Sequence, residues 1–123
     1  MMVKIERFED LKSWQKAREL ANFAYDLTGD GPLAKDYGLR GQIQRAASSV
    51  MHNIAEGFDA GSNPEFIRFL KIARRSASEV QSQLYLALDR QYITEIERKK
   101  AYKLATETKR LINGMIGYLR NHS

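Results

Sequence analysis

The chain has 123 residues, no cysteine, two histidines and a formal net charge of +5 at pH 7. This length fits one domain with a buried core, and the lack of cysteine excludes disulfides and thiolate metal sites. No segment reaches the roughly 18 apolar residues of a membrane span, and the charged first residues lack the apolar core of a secretory leader. We therefore expect a soluble cytoplasmic protein with no membrane partner, whose mildly basic charge favours polyanions.

The first predicted helix covers residues 9–28. Its apolar residues recur at helical spacing: Leu11, Trp14, Ala17, Ala21, Ala24 and Leu27. Two glycines and a proline then follow within a few residues and end the helix. The connection that they open, residues 29–38, is the longest in the chain, and we interpret it as a loop that wraps the end of the fold.

The second predicted helix, residues 38–57, carries two stripes of side chains. An apolar stripe consists of Leu39, Ile43, Ala46, Val50 and Ile54. A polar stripe with the same period consists of Gln42, Arg45, Ser49, Asn53 and Glu56. Because a surface helix needs only the first stripe, the second one requires an explanation of its own.

Two further helices are predicted over residues 63–90 and 95–120. Ser62 with Glu65 and Thr94 with Glu97 have the spacing of capping boxes at their first turns. The apolar seam of the third helix comprises Phe66, Leu70, Ala73, Ala77, Val80, Leu84 and Ala87. That of the fourth comprises Ala101, Leu104, Ala105, Thr108, Leu111, Met115 and Leu119. No window alternates as a strand does, so we predict one all-α domain, residues 1–123, an antiparallel up-down four-helix bundle.

The third helix has more apolar residues than one seam requires, namely Ile67, Ile72, Tyr85 and Leu86. This excess has two interpretations, and the pattern does not choose between them. It marks either a subunit interface or a helix buried on all sides at the centre of the fold.

The ordered residues of the first three helices resemble the 23S rRNA-intervening-sequence protein family, also called the four helix bundle protein family. The resemblance is carried by the segments Phe8-Glu9-Asp10-Leu11, Trp14-Gln15-Lys16-Ala17, Tyr37-Gly38-Leu39, Asn53-Ile54-Ala55-Glu56-Gly57 and Glu65-Phe66 with Phe69-Leu70. One departure is Met51, where family members often carry proline. The resemblance implies a left-handed four-helix bundle and, in several members, a ring-shaped homopentamer. It implies no established catalytic activity, while a distantly similar bundle binds nucleic acid and a reverse transcriptase.

The residue types and their spacing do not indicate catalysis or metal binding. Ser48, His52 and Glu56 stack along one helix face like a nucleophile, a base and an orienting carboxylate. A continuous helix, however, has no free amides to form an oxyanion hole. With two histidines and no cysteine, a transition-metal site is not expected either. We therefore predict no catalytic residue, no metal and no cofactor.

The polar stripe has a structural interpretation, which we favour, and a functional one. In the first, Asn53 and Glu56 close the end of their helix, while Gln42, Arg45 and Ser49 bond to neighbouring helices or subunits. In the second, the stripe lines a ligand groove. Partners at matching heights on the third helix are Glu79 and Arg68, but both lie far from its seam. Contact across a subunit boundary is therefore favoured over contact within one bundle.

The basic residues concentrate in the second half of the chain. They form two stripes on outer helix faces: Arg68, Lys71 and Arg75, then Lys99, Lys103 and Arg110. No aromatic residue interleaves them as a base-stacking platform. A solvated face is the ordinary interpretation of such stripes, but the family resemblance favours contacts with nucleic-acid phosphates.

Our first hypothesis is thus a non-enzymatic homo-oligomer, most simply a pentamer, that binds RNA or DNA. The alternative is a protein-protein interaction scaffold.

Overall fold

The computed structural model describes residues 5–122, and every regular element in that range is a helix. A 3₁₀ turn, Phe8–Asp10, comes first. The α-helices are α1 (Lys12–Thr28), α2 (Gly31–Lys35), α3 (Tyr37–Phe58), α4 (Asn63–Asp89) and α5 (Glu95–Asn121). The prediction of an all-α fold is therefore confirmed.

The four long helices form a bundle in which each occupies one corner. α1 packs against α3 and α5, and α4 also packs against α3 and α5. Asn63, at the start of α4, donates to the carbonyl oxygen of Leu119 near the end of α5, so these two helices are antiparallel. The centre is largely aliphatic, with Leu20, Ile43, Ile54, Leu70, Leu84 and Ile112 fully buried.

The connection between the first two long helices differs from the prediction. Residues 29–38 contain a short helix, α2, instead of a continuous loop. Gly31 adopts a φ of +67°, which a glycine tolerates, and Pro32 fixes a helical φ in the first turn. Leu33 is 1% exposed and anchors α2 to the core. Burial of this one leucine explains why the segment folds onto the bundle.

The apolar seam of α5 is rotated from its predicted position. Ile112 and Ile116 are 0% and 3% exposed, whereas the predicted core residues Leu104, Leu111 and Met115 are only partly buried. A seam drawn with a seven-residue repeat drifts around a straight helix, and α5 is 27 residues long. This drift explains why the predicted apolar seam is displaced from the buried face in the C-terminal half of α5.

α4 is a corner helix rather than a central one. Ile67 and Ile72 are partly buried, but Tyr85 and Leu86 near its end are 47% and 50% exposed. Burial on all sides within one chain is therefore wrong as an explanation of the extra apolar residues. The exposed ones lie at the end of the bundle where α4 turns into α5.

Candidate nucleic-acid interface

A basic cleft of about 530 Å³ lies between α4 and α5. Its lining comprises Lys71, Arg74, Arg75, Ser78, Lys109 and Asn113. Four of these six side chains are cations and none is acidic. Such a cleft attracts anions, and we refer to it below as the α4–α5 cleft.

Neutral partners hold two of the cations at the seam between the helices. Nη1 of Arg74 donates to Oδ1 of Asn113 at 2.7 Å, across from α4 to α5. Nζ of Lys109 donates to Oγ of Ser78 at 3.1 Å and to Oε1 of Gln81 at 2.7 Å. Since these acceptors carry no charge, they position the cations and leave the positive potential in place. None of the ion pairs found among residues 5–122 involves a cation of this cleft.

Of the first predicted basic stripe, Lys71 and Arg75 reach the cleft but Arg68 does not. The Arg68 guanidinium pairs with the carboxylate of Glu65 at 3.1 Å and lies 4.5 Å from the centre of the Phe69 ring. The hydrogen bonds that Arg68 donates to Glu65 raise the pKa of Arg68 above its ordinary value. Arg68 is thus a poorer phosphate ligand than its exposure suggests, because its charge is already offset.

The second predicted stripe lies apart from the cleft, on the outer face of α5. Lys99, Lys103 and Arg110 are all exposed. Lys103 is 4.0 Å from Glu107, which also pairs with Lys16 of α1 at 3.4 Å. Only Arg110 adjoins a cleft residue in sequence, and the structure does not bring the six predicted residues into one site.

Sequence reasoning missed two cleft cations, Arg74 and Lys109. Each precedes a predicted stripe residue, Arg75 and Arg110, and points toward the neighbouring helix instead of outward. Their paired positions in Arg74-Arg75 and Lys109-Arg110 were a visible signal. Its meaning depends on knowing that α4 and α5 are neighbours, which a single helical wheel does not show.

Three of the five residues of the polar stripe line a second groove, of about 510 Å³, between α3 and α4. Gln42, Arg45 and Ser49 face Ser76, Glu79 and Gln83 there. Oγ of Ser49 and Oγ of Ser76 are 3.0 Å apart and share a hydrogen bond between the two helices. The stripe therefore joins neighbouring helices at Ser49 and leaves an open groove beside this bond, while ligand binding in the groove stays a prediction.

Two side chains of this stripe bond or fold back along α3. Nδ2 of Asn53 donates back to the carbonyl oxygen and Oγ of Ser49, at 2.8 and 2.9 Å. Glu79 lines the same groove as Arg45, and contact between Arg45 and Glu79 across a subunit boundary stays a prediction. The Arg45 guanidinium itself folds back along α3, where a Cβ at Gly41 would be 2.9 Å from Nη1. Glu56 is exposed on the same helix.

Ser48, which stacks with His52 and Glu56 along one helix face, forms a hydrogen bond within its own helix. Oγ of Ser48 donates to the carbonyl oxygen of Gln44 at 2.8 Å, while His52 and Glu56 are exposed.

Within residues 5–122, no group of three or more His, Cys, Asp or Glu side chains is placed to hold a metal ion. None of the helices in this range has the length and apolarity to cross a bilayer.

A family model described as 23S rRNA-intervening sequence protein matches residues 9–114. The chain belongs to this family. A solved structure with the same fold is a protein of unknown function from the S23 ribosomal protein family of Bacteroides thetaiotaomicron VPI-5482. It is 30% identical, with a TM-score of 0.72, and the match covers 85% of this chain and 94% of that one. No curated protein matches the chain.

The match to the 23S rRNA-intervening sequence family includes all the residues of the α4–α5 cleft. It also includes Gly57, whose role in the fold is now visible. A Cβ at Gly57 would lie 2.8 Å from Cβ of Phe69 and 3.2 Å from the carbonyl oxygen of Phe66. The glycine therefore permits close approach of α3 to α4 and is buried inside α3.

Proposed function

We propose that this member of the family is a non-enzymatic cytoplasmic protein that binds RNA or DNA through backbone phosphates in the α4–α5 cleft. The observation that carries the proposal is the set of four cations around one cleft, two of them held by neutral side chains. A phosphate that enters meets positive charge from both helices and the hydroxyl of Ser78.

The chemistry of the cleft favours binding that tolerates many sequences. Contacts from lysine and arginine to phosphate oxygens position a strand and carry no base information. Such contacts release counterions, so the affinity falls steeply as salt is added. Lys71 and Arg75 at the rim are exposed and suited to a first encounter, while Arg74 is partly buried and already ordered.

The test removes two charges at the cleft and, as a control, two charges elsewhere. Arg74→Gln with Lys109→Gln should weaken the binding of a labelled RNA and of the matching DNA by about tenfold or more at low salt. Lys12→Gln with Lys35→Gln removes the same charge from exposed positions outside the cleft and should have little effect. Equal losses in both variants would refute the cleft and leave only a general effect of net charge.

We also propose that copies of the chain assemble, most simply as the pentameric ring that the family resemblance implies. The α3–α4 groove is the proposed contact surface, because Oε1 of Gln83 is buried there with no hydrogen-bond donor within residues 5–122. A neighbouring subunit is able to supply that donor. Light scattering should then give about five times the chain mass of 14.1 kDa, whereas a mass of one chain refutes assembly.

The alternative function, a scaffold that docks a protein partner, has one observation in its favour. Ile96 is 81% exposed and Leu86 is 50% exposed near the connection between α4 and α5. Exposed apolar side chains of this size are common at protein interfaces. If the folded protein shows no salt-sensitive binding of RNA or DNA, this alternative replaces the first proposal.

A further inference from the structure

Two tyrosines lie in the same seam between α4 and α5 as the cleft. Tyr85 of α4 and Tyr102 of α5 meet edge to face, with ring centroids 5.9 Å apart. The Arg98 guanidinium lies 4.8 Å from the centre of Tyr85 and 5.5 Å from that of Tyr102. Glu95 accepts from Nε of Arg98 at 2.9 Å and holds it there. Tyr85 nevertheless remains 47% exposed, so an ordered ring faces solvent.

The tyrosine pair and the cleft are close neighbours along the seam. Tyr85 follows the cleft residue Ser78 by seven positions, and Tyr102 precedes the cleft residue Lys109 by seven. At about 1.5 Å per residue, both separations are about 10 Å. Because the helices are antiparallel, the two intervals run side by side and place both rings at the same end of the cleft.

A buried amide connects the two features physically. Gln81 is 6% exposed; its Nε2 donates to Oγ1 of Thr106 at 2.9 Å and to the carbonyl oxygen of Tyr102 at 3.3 Å. Its Oε1 accepts from Lys109 at 2.7 Å. The cation of the cleft and the backbone that carries the second ring are therefore fixed by one side chain.

We propose that the α4–α5 seam binds single-stranded nucleic acid, with a phosphate in the cleft and the base of a nearby nucleotide stacked on Tyr85. This inference rests on the proposed function and adds the strand type that the site prefers. In a duplex the bases are stacked and paired inside the helix, so the Tyr85 ring has no base face to contact. A single strand offers both groups at once, and stacking on an aromatic ring tolerates any base.

This arrangement adds to the sequence-based view, in which no aromatic residue interleaves the two basic stripes. Neither Tyr85 nor Tyr102 lies within a basic stripe when each helix is considered alone. The pairing of α4 with α5 brings the two rings together in the seam, about 10 Å along the helices from the bonded pair Lys109 and Ser78. An aromatic platform next to a row of cations is the arrangement that proteins use to hold single strands.

The experiment measures the affinity of the full chain for four labelled probes by fluorescence anisotropy. The probes are an oligouridine, an oligothymidine, an abasic oligomer with the same number of phosphates, and a duplex of equal length. The wild type should bind the two base-bearing single strands about tenfold more tightly than the abasic oligomer. Comparison of the first two probes distinguishes RNA from DNA as the source of the strand.

Variants of Tyr85 and of one control tyrosine show which ring causes the preference for base-bearing strands. Tyr85→Ala should abolish the tenfold preference for bases, and Tyr85→Phe, which keeps the ring, should retain it. Tyr25→Ala is the matched control, because Tyr25 is 48% exposed on α1, outside the seam. If Tyr85→Ala lowers the melting temperature, Tyr85→Leu keeps an apolar side chain and repeats the test.

The outcomes separate this inference from the proposed function. If all probes bind with salt-sensitive affinity but Tyr85→Ala leaves the ratio of base-bearing to abasic affinity unchanged, stacking is overturned and phosphate binding stands. Tighter binding of the duplex than of either single strand overturns the proposed strand type. If no probe binds the wild type, the proposed function itself fails.

Discussion

Lys109 of α5 and Gln81 of α4 are joined by a hydrogen bond of 2.7 Å from Nζ to Oε1. Gln81 is a buried residue, and its amide nitrogen also bonds to Thr106 of α5. A buried neutral side chain therefore sets the position of a cation at the α4–α5 cleft. This arrangement couples the packing of two helices to the charge that they present.

Replacement of Gln81 by leucine should affect both stability and binding. The variant loses the hydrogen bonds to Thr106 and Lys109, at a cost of about 1 kcal/mol in the free energy of unfolding. Nucleic-acid affinity should also fall, because the Lys109 side chain loses its fixed position. Urea denaturation checks the first effect, and Ser82→Ala, at an exposed neighbour, should change stability by less than about 0.5 kcal/mol. An unchanged urea midpoint for Gln81→Leu contradicts the stabilising role of these hydrogen bonds, and an unchanged nucleic-acid affinity contradicts the coupling.

The same substitution at two helical glycines should have opposite effects on stability. Gly57→Ala places a methyl group 2.8 Å from Cβ of Phe69 and should destabilise the fold by about 1–3 kcal/mol. Gly114→Ala, in α5, meets no atom within 4 Å and should stabilise by about 0.5–1 kcal/mol through helix propensity. Thermal unfolding of the two variants gives the signs directly. Stabilisation by Gly57→Ala would mean that α3 and α4 are not in close contact there.

The pKa of Glu95 should be lower than its ordinary value of 4.5, because Arg98 donates hydrogen bonds to its carboxylate. A depressed acid pKa stabilises the fold above the pKa of the unfolded chain, and this contribution is lost as the pH falls through the folded value. The first turn of α5 should therefore loosen only below about pH 4.5. Carboxyl NMR titration measures the pKa, and Arg98→Gln should raise it. If the pKa of Glu95 is the same in the wild type and in Arg98→Gln, the pairing of Glu95 with Arg98 is contradicted.

The four long helices were predictable because their signals are local. Thr94 and Glu97 form both hydrogen bonds of a capping box at the start of α5, as their spacing indicated. Ser62 accepts from the amide of Glu65, but the Glu65 carboxylate pairs with Arg68 instead of returning to the cap. Spacing predicts that two groups are within reach, and competition with a nearby cation decides which bond forms.

The candidate site was predicted only in part, because it depends on which helices are neighbours. Lys71 and Arg75 were identified from their shared helix face, whereas Arg74 and Lys109 point into a seam that exists only in the packed bundle. The association of Tyr85 and Tyr102 has the same origin. α2 was missed because its burial rests on a single leucine, Leu33, with no repeating pattern around it.

The salt dependence of nucleic-acid binding tests the central claim most directly. The affinity of the wild type for a single strand should be measured between about 50 and 200 mM salt. Four cations at one cleft predict a slope of log K against log [salt] of about −3 for each engaged cleft. Arg74→Gln with Lys109→Gln should make that slope shallower by about 1.4. An affinity that is independent of salt, or an equal slope in the two proteins, would contradict phosphate binding at the α4–α5 cleft.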